Sequence, residues 1–266
     1  MKACTTESGL KHWVIDALGG VTGDGGGRLV DVLRNFLLHS AVIGFFKAPM
    51  EMIMWNIKCR KKQASVKFRM GGSFMRLVVA VTGATGSIYA VRLLETLEAK
   101  EVDVHLIVSK WAAKTLHLET GLTVDCLQSL SDYHYEEDDL SAPISSGSFQ
   151  HDGMVIVPCS MKTLAAVAHG FDGNLIERAA DVTLKERRKL ILVPRETPLS
   201  AIHLNNMLTL SQLGAVIMPP MPAFYYHPKS IDDLVNHLVG KIIDHLGQEQ
   251  QLVPRWEEIS SPTDSD

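Results

Sequence analysis

Five short apolar runs, at residues 77–81, 104–108, 154–158, 190–194 and 215–218, punctuate the chain after residue 75, and each gives way to a stretch with helical spacing. The runs are continuous rather than alternating. Strands of that kind are buried on both faces, which a sheet achieves when it is parallel and covered by helices on either side. Right-handed crossovers then impose a doubly wound, three-layer α/β domain, Rossmann-like or flavodoxin-like in kind. The spacing predicts helices over 88–100, 110–120, 161–169, 175–187, 200–213 and 231–246. The acidic, serine-rich stretch 125–150 reads mostly as loop. Ligands of such sheets sit beyond the carboxyl ends of the strands, so the polar residues just past each run carry the functional argument.

Composition narrows the rest. A net charge of -4 over 266 residues gives no basic surface for nucleic acid. No apolar run approaches the about 20 residues a membrane helix needs. Four scattered cysteines, without a C-x-x-C pair, give neither a disulfide framework nor a zinc site, and fit a reducing, cytoplasmic setting. Charge is uneven: residues 1–74 hold 11 Lys and Arg against 5 Asp and Glu, and the remainder holds 15 against 25. Gly71-Gly72-Ser73 reads as a joint, and Met75 opens a strand at once. The domain is therefore expected to span 75–266. The first 74 residues read as an extension: a flexible or partly helical tail, upstream sequence ahead of the natural start, or a targeting peptide. Glu7, Asp16, Asp24 and Asp31 argue against the last.

After the first strand comes Thr82-Gly83-Ala84-Thr85-Gly86-Ser87. It reads either as a tight turn or as an anion seat, with helix N–H groups and the hydroxyls of Thr85 and Ser87 as donors. Ser109, not an acid, ends the second strand, which disfavours a dinucleotide and favours a mononucleotide phosphate. After the third strand, Ser160 is placed to cap a helix or, with Met161, Lys162 and Thr163, to hold a ring or phosphate edge. Cys159 reads as a small buried hydrophobe or, less simply, a nucleophile. Arg178 and Lys185 share a face of one helix, while Arg187 and Arg188 read as a solvated helix end. Arg195-Glu196 directly follows the fourth strand, where a guanidinium suits a phosphate dianion and a carboxyl can exchange protons. Past the last strand, Pro219 to Tyr226 is rigid and ends in two tyrosines, each a phosphate donor or a packing plug.

Taken in order, Thr82-Gly83-Ala84-Thr85-Gly86, Ser145-Ser146-Gly147-Ser148, Pro158-Cys159-Ser160-Met161-Lys162-Thr163, Glu177-Arg178-Ala179-Ala180-Asp181, Leu184-Lys185-Glu186-Arg187-Arg188, Pro194-Arg195-Glu196-Thr197-Pro198 and Pro222-Ala223-Phe224-Tyr225 resemble the UbiX family of flavin prenyltransferases. The resemblance runs from Met75 to Trp256. It implies a flavodoxin-like fold, reduced FMN as prenyl acceptor, dimethylallyl phosphate as donor, and no metal. The product would be prenylated FMN, made for a UbiD-type decarboxylase. By position, Gly83, Ala84, Thr85, Ser109, Ser160, Met161, Lys162, Thr163 and Arg195 would bind FMN. Arg178, Lys185, Glu196, Tyr225, Lys241 and Trp256 would surround the donor, and Glu119 would face the flavin N5 region. Catalytic roles would fall to Glu196, as proton donor to the leaving phosphate, and to Thr85, Glu119 and Lys185. Thr85 stands where many members have serine, and Lys241 where others have arginine, losing the bidentate fork. The family also implies a homo-oligomer, often a dodecamer. Two other readings stand beside this one. A peptidyl-cysteine type of decarboxylase would need a P-x-M-N-x-x-M-W motif, whose Asn and Trp are missing between Pro219 and Tyr226. A non-catalytic FMN-binding accessory subunit would not need the Lys185, Arg195, Glu196 and Tyr225 set.

Overall fold

The computed structural model describes residues 75–255. The extension 1–74 and Trp256 lie outside the described residues. Six parallel strands, β1 (Arg76–Val81), β2 (Asp103–Val108), β3 (Tyr133–Tyr135), β4 (Gly153–Cys159), β5 (Lys189–Pro194) and β6 (Val216–Ile217), form one sheet in the order β3-β2-β1-β4-β5-β6. Leu77 pairs with Val104 on one side and Gly153 on the other, and Met154 pairs with Leu190. Without its three-residue edge strand β3 the order is that of flavodoxins; with it, that of the dinucleotide folds. Either way the order reverses between β1 and β4, and the crevice above that junction is where such sheets take ligands.

The five expected strands are present. The sixth, β3, falls in the stretch expected to be loop, along with a 3₁₀ turn at Pro143–Ser145. Tyr133 and His134 are exposed on this edge, so no apolar run marks it. The helices are α1 (Ser87–Ala99), α2 (Lys110–Thr120), α3 (Val124–Gln128), α4 (Met161–Ala168), α5 (Leu175–Lys185), α6 (Ala201–Gln212) and α7 (Ile231–His245). One face of the sheet buries Val79, Leu106 and Val155 against Leu94 of α1, Leu116 of α2 and Val239 of α7. The other buries Val78, Ile107 and Ile156 against Leu164 of α4, Ile176 of α5 and Leu210 of α6. Truncating one such leucine to alanine costs about 2–5 kcal/mol.

Five helices begin on a residue whose side chain accepts the third backbone N–H: Ser109, Asn174, Ser160, Ser200 and Ser230. Arg188, expected at a solvated helix end, instead donates to the carbonyls of Gly147 and Phe149 at 2.8 and 2.7 Å. It ties the end of α5 to the segment entering β4.

At the amino-terminal edge of the sheet two histidines are buried. His105 Nδ1 lies 2.8 Å from Tyr135 Oη, and its ring stacks on Tyr133 at 4.6 Å. His151 Nδ1 lies 3.0 Å from the Gly153 carbonyl. Nε2 of each is buried without a hydrogen-bond partner among the described residues. Burial lowers His105 to about 4, against the pull of Asp103, and lowers His151 as well. Both are neutral in the folded chain at neutral pH, whereas the unfolded chain takes up their protons near pH 6.5. Stability is therefore expected to fall as pH drops from 6.5 toward 4, with His105 contributing up to about 3 kcal/mol by pH 4. Urea midpoints at pH 7.5 and pH 5 test this: His105→Phe should show a smaller loss than the parent, and an equal loss contradicts it.

Candidate active site

The junction of β1 and β4 is held by one hydroxyl. Thr82 Oγ1 donates to the Pro158 carbonyl at 2.8 Å and accepts from the Ser160 N–H at 2.7 Å, while Thr82 N–H reaches the same carbonyl at 3.2 Å. Pro158 is tolerated in this central strand because the β4–β5 register shifts between Ile156 and Cys159. Thr82 is buried, so nothing in solvent competes for these bonds. The turn after β1 and the start of α4 are thereby set side by side.

Gly83, Ala84 and Thr85 form the first wall. Gly83 and Thr85 are exposed. A Cβ on Gly83 would come within 2.5 Å of Trp111 Cβ, so only glycine lets this turn pass the first turn of α2. Gly86 has φ of 112°, a left-handed conformation that also favours glycine. It is the residue on which α1 begins, and it offers no side-chain cap. Glu119, from the last turn of α2, takes that role: its carboxylate accepts from Gly86 N–H at 3.1 Å and Ser87 N–H at 2.8 Å. The anion seat expected at the start of α1 is thus filled by the chain's own carboxylate, which the helix dipole favours. Ser87, expected as a hydroxyl donor, is fully buried instead, its Oγ without a partner among the described residues.

The second wall is the start of α4. Ser160 Oγ accepts from Thr163 N–H at 3.3 Å and lies 3.1 Å from Thr163 Oγ1. Both readings of Ser160 survive, since a helix leaves several first-turn N–H groups without intrahelical partners. Lys162 is exposed beside them, and Met161 half-buried. Cys159 is fully buried, and burial pushes its thiol up to about 12, which leaves it a hydrophobe. Ser109 caps α2 through Ala112 N–H at 3.1 Å, and its own N–H reaches the Val81 carbonyl at 3.0 Å.

Arg195 and Glu196 leave β5 at the same edge, both exposed. Arg195 N–H donates to the Cys159 carbonyl at 3.3 Å. Its charge also reaches Tyr89 in the first turn of α1, offsetting part of the upward shift that burial gives that phenol. Glu196 Oε1 accepts from Thr197 N–H at 2.9 Å.

Two expected members stand elsewhere. Lys185 ends α5, which leads into the first residue of β5, whereas Glu196 lies past the last. The six residues of β5 span about 20 Å, so within one chain Lys185 is at the opposite edge of the sheet from Glu196. Arg178 shares its helix face, but its guanidinium bridges Asp172 at 3.5 Å, Asp181 at 3.2 Å and the Ser145 carbonyl at 3.1 Å. Tyr225 reaches α7, the helix that carries Lys241, through a residue the sequence reading passed over. Tyr225 Oη lies 3.1 Å from His237 Nε2, and His237 stands one helical turn before Lys241 on α7. Only the spacing of Asp233, His237 and Lys241 along one helix face hinted at it.

Backbone N–H groups, hydroxyls and an arginine at the switch point of a parallel sheet define a flavin- or nucleotide-binding α/β protein. The Flavoprotein family model matches residues 69–243. The flavin prenyltransferase LpdB of Lactiplantibacillus plantarum is 57% identical over 183 residues, 68% of this chain and 98% of the relative. The mitochondrial flavin prenyltransferase PAD1 of Saccharomyces cerevisiae is 54% identical over 186 residues, 70% of this chain and 77% of that one. The crystal structure of AnUbiX (PadA1) in complex with FMN and dimethylallyl pyrophosphate superposes with a TM-score of 0.68 at 50% identity, covering 69% of this chain and 97% of that one. The chain belongs to the UbiX family of flavin prenyltransferases.

Thr82→Val keeps the shape and removes the bridge, leaving the Ser160 N–H without its acceptor. It is expected to cost about 1–3 kcal/mol of stability and to weaken flavin binding, with Thr82→Ser close to the parent. Denaturation midpoints and flavin titration measure both; a valine variant matching the parent in each contradicts the bridge.

Proposed function

We propose that this chain joins the dimethylallyl group of dimethylallyl phosphate to N5 and C6 of reduced FMN, and that the prenylated FMN serves a UbiD-type decarboxylase. The observation that carries this is the locked pair of turns, Gly83–Thr85 and Ser160–Thr163, in a chain half identical to a relative solved with FMN and dimethylallyl pyrophosphate. The donor set fits FMN: close-approach backbone at Gly83, hydroxyls at Ser160 and Thr163, and a guanidinium at Arg195 for phosphate charge. When bound, reduced FMN supplies the nucleophilic ring atoms.

The chain's own residues then bind and protonate. Gly83, Ala84, Thr85, Ser109, Ser160, Met161, Lys162, Thr163 and Arg195 hold the flavin. Tyr225 and Lys241 hold the donor's phosphate, with charge fixed in place of a metal. Glu196, its Oε1 steadied by Thr197 N–H, delivers a proton to the phosphate oxygen that leaves with the broken C–O bond. Glu119 keeps the Gly83 turn in shape from the flavin side. Lys185 serves a site only from a neighbouring copy. A homo-oligomer supplies that copy: a relative 51% identical, from Escherichia coli O157:H7, is described as dodecameric, and Ile202, Leu204 and Leu208 of α6 are more than half exposed here. Residues 75–266 are the prenyltransferase domain in this reading, with residues 1–74 an extension that the reaction does not need; the relatives' match to about two thirds of the chain supports this. No helix among the described residues is long and apolar enough to cross a membrane. A cytoplasmic setting is part of the proposal, supported by the buried Cys159, which keeps its thiol outside any disulfide.

Incubated without oxygen with reduced FMN and dimethylallyl phosphate, the purified protein should yield a flavin heavier by one prenyl group. An unchanged mass with FMN bound would instead mark an accessory FMN carrier. Glu196→Gln should keep FMN and lose roughly 100-fold or more in turnover; full turnover removes Glu196 from the mechanism.

A further inference from the structure

The loop after β6 carries two neighbouring tyrosines, and the structure gives them different tasks. Tyr226 is half-buried and anchored: its Oη donates to the Asp233 carbonyl at 2.9 Å. Its ring stacks on His237, centroids 5.2 Å apart and planes 8° from parallel. Tyr225 is 44% exposed and stands edge-on to both rings, 5.6 Å from Tyr226 and 5.8 Å from His237. Its hydroxyl meets His237 Nε2 at 3.1 Å.

The imidazole that meets it sits on a fixed support. α7 begins with a reciprocal cap between Ser230 and Asp233, and Asp233 also accepts from Lys229 N–H at 2.8 Å. Arg92 of α1 binds Asn236 at 2.6 Å and Asp232 at 3.3 Å. α7 is thus held at its start by its own cap and, along the side bearing Asp232 and Asn236, by α1. Burial and the charge of Lys241 hold His237 below its usual range, so at neutral pH its ring offers one donor and one acceptor nitrogen.

We infer that His237 is a positioning residue of the prenyl-phosphate site: it fixes the Tyr225 hydroxyl beside Lys241, so that phenol and ammonium meet one phosphate group together. With its proton on Nε2 the imidazole donates to Tyr225 Oη, and the tyrosine's own O–H is turned toward a phosphate oxygen. This rests on the assignment of Tyr225 and Lys241 to the donor under the transferase reading.

The test is calorimetric binding of dimethylallyl phosphate to the full-length, FMN-loaded protein without oxygen, with steady-state kinetics alongside. His237→Phe keeps a ring to stack on Tyr226 and loses the nitrogen. It is expected to weaken donor binding and raise KM roughly tenfold, with kcat and FMN affinity close to the parent. His237→Gln, which restores an N–H near the same place, should recover most of the loss. Tyr225→Phe with His237→Phe should bind no more weakly than Tyr225→Phe alone. Parent-like binding in His237→Phe overturns the inference, as do additive losses in the double variant or equal losses in Phe and Gln. If His237→Phe does not fold, the glutamine variant decides: weak binding there overturns the inference, and parent-like binding supports it. Parent protein that binds the donor with this dependence on His237 but leaves the flavin mass unchanged upholds the inference and overturns the transferase reading. Parent protein that binds no donor overturns both.

Discussion

The Thr82 hydroxyl is the smallest group on which the site depends. It is buried at the point where strand order reverses, and it gives one hydrogen bond to the end of β4 and takes one from the start of α4. A buried N–H left unpaired costs more than a typical hydrogen bond contributes, so the two strand-end turns have little freedom to separate. Glu119 completes the arrangement from outside: it supplies the cap that Gly86 lacks, and it leaves the start of α1 already neutralised. That leaves the start of α4 and Arg195 as the groups proposed to meet the charge of a phosphate at this edge.

Lys185 and Arg195 do not converge within one chain. Arg195 lies at the carboxyl edge and Lys185 at the amino edge, about one strand length away, while Lys241 stands on α7 one turn past His237. A phosphate clamp that included Lys185 would therefore need a neighbouring copy of the chain. The exposed apolar side chains of α6, Ile202, Leu204 and Leu208, would give such an assembly a physical reason, since apolar surface left in water favours burial against a partner.

Much of the fold was legible in the amino-acid order. Strands buried on both faces announce themselves as unbroken apolar runs, and serines at strand ends announce caps. Tyr133–Tyr135 was not legible, because an exposed three-residue edge strand has no hydrophobic signature. The turn residues of the site could be read, since strand ends are fixed by the runs before them. Glu119 and His237 could not be read in their roles: each acts on a partner brought near only by tertiary folding. The edge of the sheet at which Lys185 stands could not be read, for a related reason. Sharing a helix face with Arg178 says nothing about which end of the sheet that part of the helix reaches. Arg188 looked like solvent-facing charge because its acceptors, the Gly147 and Phe149 carbonyls, are some forty residues away in the chain.

The central claim is that the Gly83 turn and the Ser160–Thr163 turn, tied through Thr82, are two walls of one flavin site. A crystal structure of the full-length protein grown with FMN tests it most directly. The account predicts a single flavin bridging both turns, its phosphate within hydrogen-bonding distance of the start of α4 or of Arg195. A flavin bound away from Thr82, or touching only one of the two turns, would contradict it.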